Sequence, residues 1–145
     1  MSDLSTSTIS IDAPLENVRA ILFDLAGYPT WSTAIKSAEV KQSDDQGRAP
    51  SVKVSIDAGM MTDRVLLNYD WSQAPERLEF SLEEADFLTA LKGAYITKAI
   101  DADTTSVTYE LRVEVSMPIP AMMRTKAEKA TIDQALAQLK AHAEE

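Results

Sequence analysis

Few residues in this chain could do chemistry. It has one histidine, His142, close to the C-terminal end, and no cysteine. A Ser-His-Asp or Cys-His arrangement needs a histidine inside a site, and one so near the chain end is poorly placed for that. Thiolate nucleophiles, disulfides and Cys-ligated metals are excluded. The acidic pairs Asp44-Asp45 and Glu83-Glu84 read as turn and strand-end charges, and Glu144-Glu145 as a frayed tail. No metal site and no cofactor are expected, and the four scattered glycines form no phosphate loop. By elimination, an acid or base here would be Tyr, Asp, Glu or Lys. Asp63, Arg64, Tyr69, Tyr95 and Tyr109 are the candidates. Asp63 and Arg64 are neighbours on one strand and point to opposite faces, so at most one can face a site.

The aromatics are the richer resource. Alternation places Tyr69, Trp71, Phe80, Tyr95 and Tyr109 on apolar strand faces, while Tyr28 and Trp31 share a loop. Taken singly, each reads as core with its polar atom satisfied. Taken together, three inward tyrosines would give an apolar pocket a few hydroxyls, the usual make-up of a small-molecule site.

The elements that must position these residues are legible from periodicity. Ser5 to Ile11 reads as a first strand, and Asp12-Ala13-Pro14 starts a helix with its stripe at Leu15, Val18, Ile21, Leu22 and Leu25. Gly27 and Pro29 end that helix, and Tyr28-Pro29-Thr30-Trp31 forms a loop. From residue 35 to 117 every signal is β. Ile35 to Lys41 is a strand, followed by a turn at 43–47. Val52, Val54, Ile56 and Ala58 mark the next strand. After a break near Gly59-Met60, Val65, Leu67, Tyr69 and Trp71 share one face, with Arg64, Asn68 and Asp70 opposite. Leu66 breaks that pattern and hints at a covered outer face. Leu78, Phe80 and Leu82 alternate next; Leu91 to Ile100 is a further strand, and Val107, Tyr109, Leu111, Val113 and Val115 line one face of the last. Close strands and short turns imply an antiparallel meander.

A final helix from about Pro120 to His142 spans roughly 35 Å at 1.5 Å per residue, enough to cross a curved sheet. Its stripe at Ile132, Leu136, Leu139 and Ala143 leads back through Lys129, Thr125 and Met122. Lys129 either snorkels at the edge or reaches a ligand. Met60-Met61 and Met122-Met123 either fill gaps in the core or flank a cavity mouth.

Bulk properties bound the function. The chain of 145 residues is 45% hydrophobic and is expected to form one domain over 1–145, with no repeat, linker or low-complexity tract. A net charge of −9 argues against a nucleic-acid partner and against anionic membranes. The opening Met-Ser-Asp-Leu-Ser-Thr-Ser-Thr carries neither a basic nor an apolar leader segment. No apolar run approaches the ~20 residues of a spanning helix. A cytoplasmic protein without stable membrane insertion is expected.

The ordered set Ile11-Asp12-Ala13-Pro14 with Glu16 and Val18, Asp24 with Tyr28-Pro29-Thr30-Trp31, Gly93-Ala94-Tyr95, Val107-Thr108-Tyr109, and Pro118-Ile119-Pro120 before Ala135-Leu136-Ala137-Gln138-Leu139-Lys140 resembles the START-like, or SRPBCC, superfamily. The closest resemblance is to its polyketide cyclase/dehydrase and lipid-transport branch. It implies an α+β helix-grip fold, a curved antiparallel sheet of about seven strands wrapped around a long C-terminal helix, with a short helical segment between strands 1 and 2. It also implies a cavity for a hydrophobic small molecule such as a lipid, polyketide or quinone. The residues expected to line it are Trp31, Val54, Ile56, Leu67, Tyr69, Phe80, Tyr95, Tyr109, Leu111, Met122, Thr125 and Lys129. Ligand binding or transport is the first reading. The alternatives are a metal-free cyclase/dehydratase of the aromatase/cyclase type, and an interaction domain with a closed cavity. Whether any reaction is catalysed stays open here, as does the choice between monomer and homodimer.

Overall fold

The computed structural model describes residues 5–42, 51–57, 62–74, 76–86, 88–115 and 119–144. Seven strands form one antiparallel sheet: β1 (Ser5–Ile11), β2 (Ile35–Gln42), β3 (Ser51–Asp57), β4 (Thr62–Asp70), β5 (Arg77–Ala85), β6 (Leu88–Asp101) and β7 (Thr104–Val115). Their order is β1-β7-β6-β5-β4-β3-β2, so β2 to β7 are a meander and β1 joins beside its last strand. The helix α1 (Leu15–Phe23) and a 3₁₀ segment (Leu25–Thr30) carry the chain from β1 at one edge to β2 at the other. The long helix α2 (Ala121–Ala143) lies on the concave face, packed mainly on β1 and β7.

Period-two alternation explains the strands. Val107, Tyr109 and Leu111 are buried, while Thr108 and Glu110 on the other face are only half-buried. The β6–β7 hairpin turns over Ala102-Asp103, where the Asp103 N–H donates to Asp101 Oδ1 at 2.9 Å. The strand expected from Leu91 begins earlier, at Leu88. Its start is fixed by Asp63 on β4, whose two carboxylate oxygens accept the N–H groups of Asp86 (3.0 Å) and Leu88 (2.9 Å). Leu66 is half-buried beside an irregularity in β4–β5 pairing between Leu66 and Leu67. The turn at 43–47, the break near Gly59-Met60 and the Met60-Met61 pair lie outside the described residues.

One boundary differs from the sequence expectation. The first helix stops at Phe23 instead of reaching Gly27, and the chain tightens into the 3₁₀ segment, with Gly27 N–H donating to Asp24 O at 3.0 Å. The Tyr28 hydroxyl donates back to Leu22 O (2.5 Å), tying the segment to the helix end. Val18, Leu22 and Leu25 are buried together. The apolar stripe therefore continues across the helix break, which is why periodicity alone ran past it.

Candidate functional site

Between the sheet and α2 lies a cavity of about 1050 Å³. That is the upper end of the ~300–1,000 Å³ usual for ligand pockets. The sheet supplies one wall through the inward positions of successive strands: Val52, Val54 and Ile56 from β3, Leu67 and Tyr69 from β4, Phe80 from β5, Leu91 and Tyr95 from β6, and Tyr109, Leu111 and Val113 from β7. Leu25, Tyr28 and Ser32 close one end.

The opposite wall is one flank of α2: Met123, Ala127, Ala130, Thr131 and Gln134, with Ala135 at its border. These recur at i, i+4, i+7, i+8 and i+11, one face of a helix. Most are small, so the helix does not fill the space in front of it. The other flank carries Glu128, Ile132, Ala135, Leu136 and Leu139, all buried. At about 100° per residue the two flanks are roughly 140° apart. One packs, and the other leaves room.

The tyrosines form a continuous aromatic wall. Tyr95 and Tyr109 stack with ring centroids 4.3 Å apart, and Phe80 sits 6.4 and 6.3 Å from them. Tyr69 follows at 5.5 Å from Phe80, and Tyr28 meets Tyr95 edge-on at 6.5 Å. Behind Phe80 is Gly93, its partner in the β5–β6 register. A Cβ on Gly93 would stand 2.5 Å from Phe80 Cζ and 2.9 Å from Glu110 O, so only glycine lets the ring lie flat there. Burial, and secondarily the neighbouring tyrosines, push the hydroxyls of Tyr28, Tyr69 and Tyr95 above the ordinary value of 10.0; burial does the same for Tyr109. All four stay neutral at physiological pH. The Tyr28 hydroxyl proton is spent on Leu22 O, and Tyr69, Tyr95 and Tyr109 give the cavity wall a few neutral hydroxyls.

Of the residues expected from sequence to meet a ligand, Val54, Ile56, Leu67, Tyr69, Phe80, Tyr95, Tyr109 and Leu111 are brought together on the cavity wall. Four stand elsewhere. Trp31 is buried beside Tyr28, ring centroids 5.0 Å apart, and its indole N–H has no hydrogen-bond partner among the described residues. Met122 is 83% exposed, pointing away from the cavity its neighbour Met123 lines. Thr125 is exposed and donates to Ala121 O on its own helix. Lys129 donates to Thr6 O (2.9 Å) and Ser7 Oγ (2.6 Å), covering the edge of β1. Lys129 reaches β1, while Met122 and Thr125 stand on the solvent side of the same stripe, away from the cavity. The extrapolated stripe followed packing, and the cavity faces the other flank.

Glu128 was missed. It is 2% exposed, and its carboxylate accepts from Ser5 Oγ (2.8 Å), Val113 N–H (2.6 Å) and Arg124 Nη1 (2.9 Å). Three donors and an ion pair offset the cost of burying the charge. This knot fastens α2 to both β1 and β7. The signal was available: Arg124, Glu128, Ile132 and Leu136 recur every four residues, a single row on the helix.

Of the proton-transfer candidates, Asp63 does face the cavity, and Arg64 is exposed on the outer face, as their strand parity requires. Asp63 spends its oxygens on the backbone of the β5–β6 turn, as described above. The cavity opens to solvent past Thr89, Glu114 and Ile119 and along the α2 flank itself, where Met123, Ala127, Ala130, Thr131 and Gln134 are all exposed. On another side, Thr33 Oγ1 accepts from Gln134 Nε2 (3.0 Å) and Gln138 Nε2 (2.8 Å), holding the loop before β2 against α2. No helix of the described residues is long and apolar enough to cross a membrane.

Comparison with known proteins agrees with this architecture. No curated protein matches the chain in sequence. Among solved structures it is similar to a START superfamily protein from Mycobacterium smegmatis, with a TM-score of 0.92 at 20% identity over 97% of both chains. A protein from Thermus thermophilus superposes with a TM-score of 0.81 at 22% identity, covering 97% of this chain and 96% of that one. The Zhui aromatase/cyclase from a Streptomyces species does so at 0.75 and 15% identity, over 97% and 93%. At these identities the likeness is one of fold. The family described as polyketide cyclase/dehydrase and lipid transport matches residues 4–144, nearly the whole sheet-and-helix unit, and the chain belongs to that family.

Proposed function

We propose that this protein binds a hydrophobic small molecule, of the size of a lipid, polyketide or quinone, between the sheet and α2. One observation carries the reading. The flank of α2 that borders the cavity is built of Ala127, Ala130, Thr131 and Ala135, the first three of them exposed, where a filled core would carry buried leucines. Small residues there support a standing cavity of about 1050 Å³. Its wall is mostly apolar and carries a few neutral hydroxyls, a composition that favours an uncharged, largely apolar body with one or two hydrogen-bonding groups. The eight sheet residues named above, from Val54 to Leu111, are the proposed contacts.

Native mass spectrometry of freshly purified protein, followed by organic extraction of what it carries, tests this directly. The expected result is a one-to-one apolar adduct, or one-to-one uptake of an apolar fluorescent probe by protein stripped of its cargo. Protein that arrives empty and binds nothing from a panel of lipids, quinones and fused-ring aromatics overturns the proposal.

A further inference from the structure

At the mouth of the cavity, Arg124 presents an edge that no described residue uses. Its side chain is 18% exposed and lines the cavity. Nη1 is held by Glu128 at 2.9 Å. Nε and Nη2 form the side-on edge of the guanidinium, two parallel N–H donors, and among the described residues neither has a partner.

The position is rigid. Glu128 cannot move toward solvent, because Ser5 Oγ and Val113 N–H hold the same carboxylate. Arg124 is therefore held by a buried anchor at a position that lines the cavity. The other charged groups on the cavity wall are already engaged. Asp63 caps the β5–β6 turn, Glu114 pairs with Arg112, and Lys36 takes part in further contacts. Glu128 also neutralises the formal charge of Arg124. What remains is a pair of directional donors, which match two coplanar oxygens better than a single carbonyl.

We infer that the ligand is an acidic amphiphile: an apolar body in the cavity and a carboxylate at the mouth, held side-on by Nε and Nη2 of Arg124. This inference rests on the cavity-binding reading above and names the chemical class that reading leaves open. The polarity follows as well. The carboxylate stays at the entrance, where it keeps part of its hydration, and the apolar end reaches Tyr69, Phe80, Tyr95 and Tyr109.

The test compares a pyrene-labelled fatty acid with its methyl ester, titrated by fluorescence into the full-length protein. The acid is expected to bind about tenfold more tightly, the worth of one charge-assisted bidentate contact. The variant R124K keeps a cation for Glu128 but has no side-on edge, and its fold is checked by thermal unfolding. In R124K the acid-to-ester ratio is expected to fall from about ten to near one. Equal binding of acid and ester by the wild type overturns the inference and leaves the cavity reading standing. An acid preference that survives in folded R124K overturns it too. If neither probe binds, both readings fall. A parallel pair built on a fused-ring aromatic acid, compared once the acid preference is seen, distinguishes a linear from a planar apolar body.

Discussion

The two flanks of α2 face environments of opposite kind. Ile132, Leu136 and Leu139 are buried to 2% or less against β1 and β7 and behave as solid core. Met123, Ala127, Ala130, Thr131 and Gln134, on the other flank, face open space and the sheet wall beyond it. The first flank holds the helix in place with large branched side chains. The second preserves a volume by having small ones. One helix can do both because its flanks are separated by more than a quarter turn, so packing on one does not pull the other inward. Stability and ligand capacity are thus written on different residues of the same element.

That separation can be attacked from several directions. The largest effect is expected from alkali, through the tyrosines of the sheet wall. Their folded values lie above the ordinary 10.0, so the unfolded chain loses its tyrosine protons first. The stability they contribute is complete below that pH and is lost as pH rises toward the folded values. Each tyrosine that stays protonated costs about 1.4 kcal/mol per pH unit above it. Across the three the loss is about 4 kcal/mol per pH unit, which reaches the scale of the whole fold within a few units. Denaturant unfolding at a series of pH values, read beside tyrosinate absorbance, checks this; titration near 10 in an intact fold would mean the wall is wet.

Next comes Leu139→Ala on the packed flank, expected to destabilise by about 3 kcal/mol through lost burial and a residual void. Ligand affinity should hold once the protein is folded. A parallel fall in affinity would show that the flanks are coupled. Thr131→Phe on the cavity flank should do the reverse, lowering affinity for an apolar probe about tenfold, or about 1.4 kcal/mol, with little change in unfolding midpoint. Met122→Ser is the smallest. Its side chain is 83% exposed, and stability should move by less than about 0.5 kcal/mol, with affinity unaltered.

The sheet wall was legible in the sequence because a strand has only two faces. Once Val107, Tyr109 and Leu111 are seen to alternate with charged neighbours, inward and outward are assigned together, and the same parity placed Val54, Ile56, Leu67, Tyr69, Phe80 and Tyr95. A helix has no such binary choice. The hydrophobic stripe of α2 reports which side packs, and a cavity lies where the stripe is not. Ala127, Ala130, Thr131 and Gln134 carry no apolar signal that separates them from a solvated surface. Met122, Thr125 and Lys129 were therefore drawn into the site, and Ala127 and Thr131 were left out. Glu128 was hidden for a related reason, since its charge removes it from any list of core residues while its three donors put it there. Trp31 shows a further limit, because an aromatic in a loop has no parity to read.

Gly93 carries a consequence for descent. With Phe80 lying over its bare backbone, positions 80 and 93 behave as a single heritable choice. A relative that acquires Ala at 93 must first trade the phenyl ring for something slimmer, or push that ring forward and surrender capacity. Across the family these two sites should covary, large opposite glycine or modest opposite modest. A lineage that crosses from one state to the other changes the calibre of the cavity with two substitutions, neither of which touches the helix.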